Sequence, residues 1–596
     1  MQYEKRLTAR VAGQLADRHN EAIRGQGLRF LRSFLSRVVT HPHFGPTAKP
    51  LLHHLNTGDF GEAVRYARAL LSQSYEDVHT HRVACQIGAL VKKYPFPSNK
   101  ELAESNAMKK FLRGENRCRH FNRFLRKRRL DGPGTIHGEA LSHIRKYMHT
   151  ALTDDVRFGD IMTNARWGPG SVVGVGGRFS HFGRKLLAEK WTITPPALPY
   201  FLTAAKRYPM FWELLGLTSK SGIVCVDSEE FDARARSRIE FVDYNKISIA
   251  PKDADCGRTI ASEPSLNQWL QLATENCLTL RLRRLGIDLR HQEPNQRMAR
   301  EGSLGGFNPY CTIDLKNASG SICLELVREI CPPAWFQYLN SIRSPSWRYR
   351  NDTARYESFV SMGNGYCFPL ETLIFASICY AAHQITGAPV DFRVYGDDII
   401  VRQSEALLVL EILRTLGFEA NADKTFISGP FRESCGADWL YGEPVRPVYI
   451  DDPLDSIEQQ IRCHNAFVRL PNPHAPFLAQ CARRWLPPFM DNFVRPFADD
   501  TDESIDGRFE QADHLEERRD LSLQTSKRWL GFTFRPKADT LISRHEQYHI
   551  ALMYGALQNL RSEAPFVERR KTRSRVKSFT RDGATSRWLP VSPFMR

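Results

Sequence analysis

The feature that most constrains this chain is the stretch DFRVYGDDIIVRQ, residues 391–403. Short runs of aromatic and β-branched residues flank Gly396, and a Gly-Asp pair between such runs is typical of a tight turn. The stretch therefore predicts a β-hairpin. Two adjacent carboxylates, Asp397 and Asp398, then stand at its tip, where their like charges repel each other. A polar turn without function explains the motif equally well when the motif is taken alone.

The charge of the whole chain indicates the class of its partner. Its 596 residues include 83 Lys and Arg against 66 Asp and Glu, a formal net charge of +17. Such an excess favours nucleic acid as a partner, ahead of an anionic membrane surface. The 13 cysteines form no C-x-x-C pair, which argues against a zinc site or disulfide framework and favours a reducing cytoplasm. We expect neither secretion nor membrane insertion.

The segment before the hairpin predicts a strand and two helices. Residues 310–315, YCTIDL, read as a buried strand with Asp314 near its carboxyl end, and helical spacing continues from Ile322 until Pro332. A glycine loop at 363–365 then leads into a helix whose apolar face includes Leu370, Ile374 and Ile378.

The segment after the hairpin predicts a helix from about 404 to 416, closed by Gly417, and then a strand and turn carrying Lys424. The complete order of elements predicts an α+β fold, with helices packed on one face of a small antiparallel sheet.

Three further segments each carry an excess of one sign of charge. Residues 109–129 hold ten basic residues and one acid with interleaved phenylalanines, which suits either a solvated helix face or a surface that contacts RNA. Residues 499–520 are acidic and predict an exposed loop or linker. Residues 569–581 are basic without any acid and predict a flexible basic tail.

Together, the strand and the hairpin predict a metal site. If Asp314 lies on a strand beside the hairpin, three carboxylates meet at one place. Their repulsion is relieved by hard divalent cations, and two such ions about 3.5–4 Å apart support in-line phosphoryl transfer. We therefore expect two Mg²⁺ ions bound by Asp314, Asp397 and Asp398.

The same residues carry a family resemblance. TIDLKNASGS, SMGNGYCFPLETLIFAS, VYGDDII and KTFISGPFRESCG resemble, in order and spacing, the replicase β-subunits of the levivirus group of RNA phages, which includes Qβ. The resemblance is specific from about residue 249 to 450. It implies an RNA-directed RNA polymerase with a right-hand fold of fingers, palm and thumb, acting on an RNA template and nucleoside triphosphates in the host bacterial cytoplasm. It also implies the host elongation factors Tu and Ts, and a host ribosomal protein, as partners.

The resemblance further implies roles for individual residues. The aspartates match the catalytic metal ligands of the family, and Lys424 matches a lysine near the leaving pyrophosphate that acts as a possible general acid. Lys252 and Arg258 fall in a basic segment that would neutralise the incoming triphosphate. Asn364 could hydrogen-bond a ribose hydroxyl or the template. The alternative for Lys424, Lys252 and Arg258 is an ordinary surface charge. The alternative for Asn364 is an asparagine that stabilises its own loop.

This chain departs from the Qβ-like pattern at Gly320, where that pattern has a second acid. The departure puts sugar selection in doubt and leaves metal binding untouched.

By the same resemblance, the chain divides into four regions. Residues 1–240 are the N-terminal and fingers region, 241–311 a fingers segment with the basic nucleotide-contacting motif, 312–440 the palm, and 441–596 the thumb and C-terminal region with the basic tail.

Two other functions stay open from the residues. A reverse transcriptase or another polynucleotide polymerase uses the same carboxylates, although the glycine before the Asp pair and the GNGY loop favour copying of RNA. A non-enzymatic basic RNA-binding protein would bind RNA without any synthesis that depends on divalent ions.

Overall fold

The computed structural model describes residues 14–15, 18–96, 99–128, 136–168, 170–176, 180, 182–217, 228–488, 494–495, 509–510, 528–539 and 568–580. Within them helices and strands are mixed, so the predicted α+β class is confirmed. Among the helices of these residues, none combines the length and apolar character that crossing a membrane requires.

The central sheet has three antiparallel strands, in the spatial order Tyr310–Ile313, Asp398–Arg402, Phe392–Tyr395. Tyr395 pairs with Asp398, so the turn between the last two strands consists of Gly396 and Asp397 alone. The predicted hairpin is confirmed. Gly396 has a φ of +62°, and a Cβ there would lie 2.4 Å from the Phe368 ring. A side chain at this turn would therefore meet both backbone strain and a clash.

Two predicted helices pack on this sheet. They are Cys367–Thr386 and Gln403–Thr415. Leu370, Ile374 and Ile378, which the sequence assigned to the apolar face of the first helix, are fully buried. Gly417 follows the second helix with a φ of +93°, a left-handed conformation that favours glycine and ends the helix.

The predicted helix between the first strand and Pro332 is Leu324–Ile330, and Pro333–Ile342 follows it. The predicted strand around Lys424 is wrong. The chain forms a 3₁₀ turn at Ala422–Lys424, and only single bridges join Ala420 and Phe426 to the central sheet. The backbone N–H of Asn421 donates to the Asp314 carbonyl, and turn-forming residues at 421–423 bend the chain there.

Two further sheets flank the central one. The outer sheet has the order Cys256–Ser262, Tyr244–Asp253, Ser346–Tyr349, Asp352–Arg355. A smaller sheet, which begins soon after Lys424, contains Phe431–Ser434, Ala437–Leu440 and Glu443–Pro444. Trp191–Ile193 also pairs in parallel with Ile239–Phe241.

The basic helix, Lys100–Arg128, packs against Cys256–Ser262 and Leu324–Ile330. The remaining helices between it and the central sheet are Ile136–Leu152, Phe158–Ile161, Phe182–Leu186, Leu198–Ala205, Pro209–Leu214, Ser228–Ser237, Ser265–Arg284 and Glu293–Ser303. Several contribute to one large hydrophobic core, which extends from Cys118 to Phe418.

The N-terminal helices share a second core with two helices that follow the smaller sheet. It is built from the N-terminal helices Gly27–Val38, Gly45–Thr57, Phe60–Ser72 and Val78–Lys92 together with Ile457–Val468 and Ala475–Arg483. Phe34 stacks on Phe467 at 5.3 Å between ring centroids, and Trp485 Nε1 donates to the Phe30 carbonyl. Residues 27–96 therefore pack with residues that the sequence assigned to the thumb, while the division into four regions stays a prediction.

The C-terminal basic segment is not a loose tail. Glu568–Thr580 is a strand that pairs antiparallel with Arg528–Asp539, so the prediction of flexibility is wrong. From Lys571 to Lys577 the basic residues alternate with Thr, Ser and Val, a period of two that is typical of a strand. Val494–Arg495 and Phe509–Glu510 form a short parallel pair; apart from 509–510, the acidic 499–520 segment lies outside the described residues.

Candidate active site

Asp314 lies directly after the first strand of the central sheet. Because Ile313 pairs with Ile399 in the antiparallel register, Asp314 stands next to the position of Asp398 on the neighbouring strand. The Asn421 amide donates to Asp314 Oδ2 at 3.3 Å. The structure thus brings Asp314, Asp397 and Asp398, hereafter the aspartate cluster, to one end of the sheet.

The charges of the aspartate cluster act on one another. Burial, followed by the negative charge of Asp397, raises the pKa of Asp398 to about 7. Burial also raises the pKa of Asp314, where Lys424 acts in the opposite direction and Asp397 adds to the rise. Asp397 itself is exposed at the tip of the hairpin. Such upward shifts mean that burial and neighbouring carboxylates disfavour the ionised forms here, and that the nearby positive charge does not compensate them.

Lys424 reaches the aspartate cluster from the 3₁₀ turn. Its Nζ lies 3.7 Å from Asp314 Oδ2 and donates to Glu433 Oε1 at 2.7 Å. Burial lowers the pKa of Lys424, but the carboxylates of Glu433 and Asp314 outweigh burial and the pKa is raised overall. The ammonium group is therefore held in its protonated form.

Three acids near the aspartate cluster escaped the sequence analysis. Glu433 and Asp438 face each other in the smaller sheet; burial raises the pKa of Asp438 to about 6, and Arg446 contacts its Oδ1 at 3.0 Å. Glu371 is buried in the helix Cys367–Thr386, and burial followed by the charge of Asp397 raises its pKa well above the usual range. Glu433 and Asp438 flank Cys-Gly, a turn signal that could have identified the hairpin.

The structure groups Lys252 and Arg258 on adjacent strands of the outer sheet, both exposed. The surrounding protein lowers the pKa of Lys252, and the positive charges of Lys110 and Arg258 lower it further. Lys110 belongs to the basic helix, so this cationic group has contributions from two elements. Lys92 feels charges from both the aspartate cluster and this cationic group. Burial lowers its pKa, and the charges of Asp253, at the tip of the strand pair, and of Lys424 also act on it.

Asn364 is buried in the glycine loop, where its Oδ1 accepts from the backbone N–H of Tyr366 at 3.1 Å. This contact fits the loop-stabilising alternative, and contact with ribose stays a prediction.

Gly320 has a packing reason. A Cβ at Gly320 would lie 2.5 Å from Asn317 Nδ2, and so would a Cβ at Gly114 of the basic helix. The amide of Asn317 therefore occupies the space that a side chain at position 320 would need.

The side chains do not form a closed metal cage as they stand. In the described part of the chain, no three His, Cys, Asp or Glu side chains are arranged as a ready-made metal site. The exposed position of Asp397 accounts for the open arrangement at the aspartate cluster.

Comparison with known sequences decides the family. A sequence model described as RNA replicase, beta-chain, matches residues 59–472, which is well over half of this chain. The chain belongs to the RNA replicase β-chain family. The resemblance to levivirus replicases and the predicted class of enzyme, an RNA-directed RNA polymerase, are thereby confirmed.

Individual relatives from RNA phages agree with this family. The RNA-directed RNA polymerase subunit beta of Enterobacteria phage SP is 33% identical over 416 residues, covering 68% of this chain and 67% of that one. The corresponding subunit of Escherichia virus Qbeta is 34% identical, covering 58% and 55%. The beta chain of Escherichia phage MS2 is 42% identical, covering 46% and 47%. The match thus spans about two thirds of the SP chain and about half of the other two.

Solved structures similar to this replicase chain include polymerases of other viruses. An RNA-dependent RNA polymerase of a human picobirnavirus matches with a TM-score of 0.32 and 14% identity, over 42% of this chain and 60% of that one. The RNA-dependent RNA polymerase of BmCPV at its elongation state matches with a TM-score of 0.36 and 12% identity, over 60% and 33%.

Proposed function

We propose that this chain copies RNA from an RNA template by two-metal-ion nucleotidyl transfer, with Asp314, Asp397 and Asp398 as the metal ligands. The observation that carries the proposal is the convergence of the aspartate cluster at one end of the central sheet, where burial and mutual repulsion raise the pKa of Asp398 to about 7. Groups whose pKa values are displaced in this way are typical of functional sites.

The residues fit Mg²⁺ by their chemistry. Carboxylate oxygens are the hard ligands that Mg²⁺ prefers, and bound cations would relieve the repulsion that raises the carboxylate pKa values. The ions would supply charge that activates a 3′-hydroxyl and neutralises the leaving pyrophosphate. Asp397, exposed at a two-residue turn, is the ligand with the most freedom to adjust its side chain on binding.

The neighbouring cations take complementary roles in this proposal. Lys424, kept protonated beside Glu433 and Asp314, is positioned to donate a proton to the leaving pyrophosphate. Lys252 and Arg258, together with Lys110, attract the triphosphate of the incoming nucleotide. Asn364 and its loop orient the ribose or the template.

The wider setting belongs to the same proposal. Regions 1–240, 241–311, 312–440 and 441–596 act as N-terminal and fingers region, fingers segment, palm and thumb. The chain works in the host bacterial cytoplasm on an RNA template and nucleoside triphosphates, as the catalytic subunit of a complex with the host elongation factors Tu and Ts and a ribosomal protein.

The test is Asp397→Asn in Mg²⁺-dependent RNA synthesis on an RNA template, with and without the host factors. We expect synthesis to fall by about a thousandfold or more, because the change removes metal-binding charge and keeps side-chain volume. RNA affinity should stay within a few fold. The matched control is Asp352→Asn, since Asp352 is exposed and pairs with a tyrosine in a hairpin, as Asp398 does.

The control should retain full activity. Near-normal synthesis by Asp397→Asn would disprove the assignment, and RNA binding without any synthesis by the unaltered chain would favour the RNA-binding alternative. Incorporation of deoxynucleotides as readily as ribonucleotides would favour a reverse transcriptase.

A further inference from the structure

A cavity of about 260 Å³ lies at the end of the central sheet opposite the aspartate cluster. Pro309, which precedes the first strand, and Gln403, which follows the middle one, both line it. Asp314 follows the opposite end of the first strand, so roughly 16 Å of strand separates the cavity from the aspartate cluster. This cavity is therefore distinct from the candidate active site.

A fully buried arginine, Arg432, forms part of the cavity wall. Its Nε donates to the Tyr310 carbonyl at 2.6 Å, and its Nη1 donates to the carbonyls of Gly429 at 2.8 Å and Phe431 at 2.7 Å. Its Nη2 is buried and has no hydrogen-bond partner. One edge of the guanidinium is therefore fixed by backbone, and one donor group is left unsatisfied.

No ion pair joins Arg432 to a carboxylate within the described residues. Burial lowers its pKa, and the only neighbouring group that acts in the opposite direction is the thiol of Cys311. A guanidinium without a counter-charge in a buried position is costly for the fold. An anion in the cavity would supply the missing charge across the cavity wall.

We propose that this cavity binds the phosphate group of a nucleotide, either free or within an RNA strand. A phosphate offers several oxygens at once, which can accept from the hydroxyls of Ser428 and Tyr441, two other wall residues, while the buried guanidinium of Arg432 attracts its charge. Tyr441 is 52% exposed, so its ring is available for a base to stack on. The cavity volume accommodates a phosphate group, and its open side admits the rest of the nucleotide.

The test uses Ser428, because it is exposed at the cavity wall and substitution there leaves the core intact. Ser428→Glu introduces a negative charge that repels phosphate, and Ser428→Gln is the matched control with nearly the same volume and no charge. Binding to the full-length chain is measured by calorimetry with a chelator present. The probes are uridine 5′-monophosphate, uridine and a short oligouridylate.

We expect the unaltered chain and Ser428→Gln to bind the monophosphate at least about tenfold more tightly than uridine, and Ser428→Glu to lose most of this difference. If Ser428→Glu weakens binding of both the monophosphate and the oligouridylate, the cavity takes free nucleotides as well as RNA. If it weakens only the oligouridylate, the phosphate belongs to an RNA backbone. Both results support the proposal.

Equal affinity of all three chains for every probe would overturn it. Asp397→Asn separates this site from the active site, because it should leave the binding unchanged. Loss of monophosphate binding in Asp397→Asn would place the ligand at the aspartate cluster and refute the second site. Arg432→Met should also weaken binding, since it removes the positive charge behind the cavity wall; if that variant does not fold, the Ser428 pair decides.

Discussion

The aspartate cluster and the basic helix are both densely charged. They differ in whether charges of opposite sign lie in contact with them. Part of the positive charge on the basic helix is paired: Arg117 contacts Glu419, Arg119 contacts Glu357 and Arg126 contacts Glu325. The aspartate cluster instead collects like charges, with Lys424 as the nearest cation. Opposite charges in contact bind elements together, whereas crowded like charges are tolerated where a ligand is to bind.

The structure adds a role to the two interpretations of the basic helix. The sequence left open whether its cations form a solvated face or an RNA-contacting surface. The structure shows a third role, because Arg117, Arg119 and Arg126 attach the helix to acids far away in the chain. Lys109, Lys110 and Arg113 are exposed, and contact with RNA remains a prediction for these three.

The largest effect should come from combining Asp314→Asn with Asp397→Asn. If the aspartate cluster holds metal as a unit, each single variant loses RNA synthesis by about a thousandfold or more, and the double variant is scarcely worse than either. Single-turnover synthesis at saturating Mg²⁺ measures this. Losses that multiply in the double variant would mean that the two carboxylates act independently.

The next effect concerns stability and pH with a chelator present. The folded-state pKa of Asp398 is raised to about 7, so the folded state holds this proton more tightly than the unfolded state does. The free energy of unfolding should therefore fall as pH rises from about 4 to about 7, by up to about 4 kcal/mol from this group.

Urea unfolding at several pH values in this range measures the difference in the free energy of unfolding between the unaltered chain and Asp398→Asn. Asp398→Asn should be the more stable chain at pH 7, and Mg²⁺ should reduce its advantage. Equal slopes with pH would show that the carboxylates do not repel each other as described. At the ion pair that attaches the basic helix, stability depends on pH with the opposite sign. Lys316 and Arg117 lower the pKa of Glu419, so the stability that Glu419 contributes is lost as pH falls through its folded-state pKa.

A smaller effect should come from the exposed cations of the basic helix. Replacing Lys109, Lys110 and Arg113 with Gln should make the slope of log RNA affinity against log salt shallower by about two units, since each contact with single-stranded RNA contributes about −0.7. Filter binding at several salt concentrations measures the slope. An unchanged slope would identify these three residues as a solvated face.

The smallest effect should come from the paired side of the same helix. Arg117 and Glu419 are 37% and 45% exposed, and ion pairs with such exposure contribute about 0.2–1 kcal/mol. A double-mutant cycle of Arg117→Gln and Glu419→Gln should give a coupling in this range and leave the salt slope of RNA binding nearly unchanged. A coupling near zero would mean that the helix is held by its packing alone.

Local patterns accounted for much of the fold around the aspartate cluster. The hairpin at 391–403, the helices that flank it and the strand before Asp314 were all predicted, because turn residues and hydrophobic periodicity specify such elements over a few residues. The strand Glu568–Thr580 was also specified locally, by alternation of basic with β-branched or hydroxyl residues, a pattern that the basic composition of the segment alone does not reveal.

Contacts between distant segments could not be predicted in this way. Glu433 reaches Lys424 only because a short sheet folds back after the 3₁₀ turn. Glu371 appeared only as an interruption in an apolar run, and its nearness to Asp397 depends on how a helix packs on the sheet. One chain carries no signal for such pairings until its elements are arranged in space.

The contact between the basic helix and Glu419 also has a consequence during translation of the chain. Arg117 and its partner Glu419 are 302 residues apart in the chain, and ribosomes add roughly 5–20 residues per second. About 15–60 s therefore pass between translation of Arg117 and translation of Glu419. During this interval Arg117 has no acid to pair with, so the nascent chain exposes this cationic segment before the enzyme is complete.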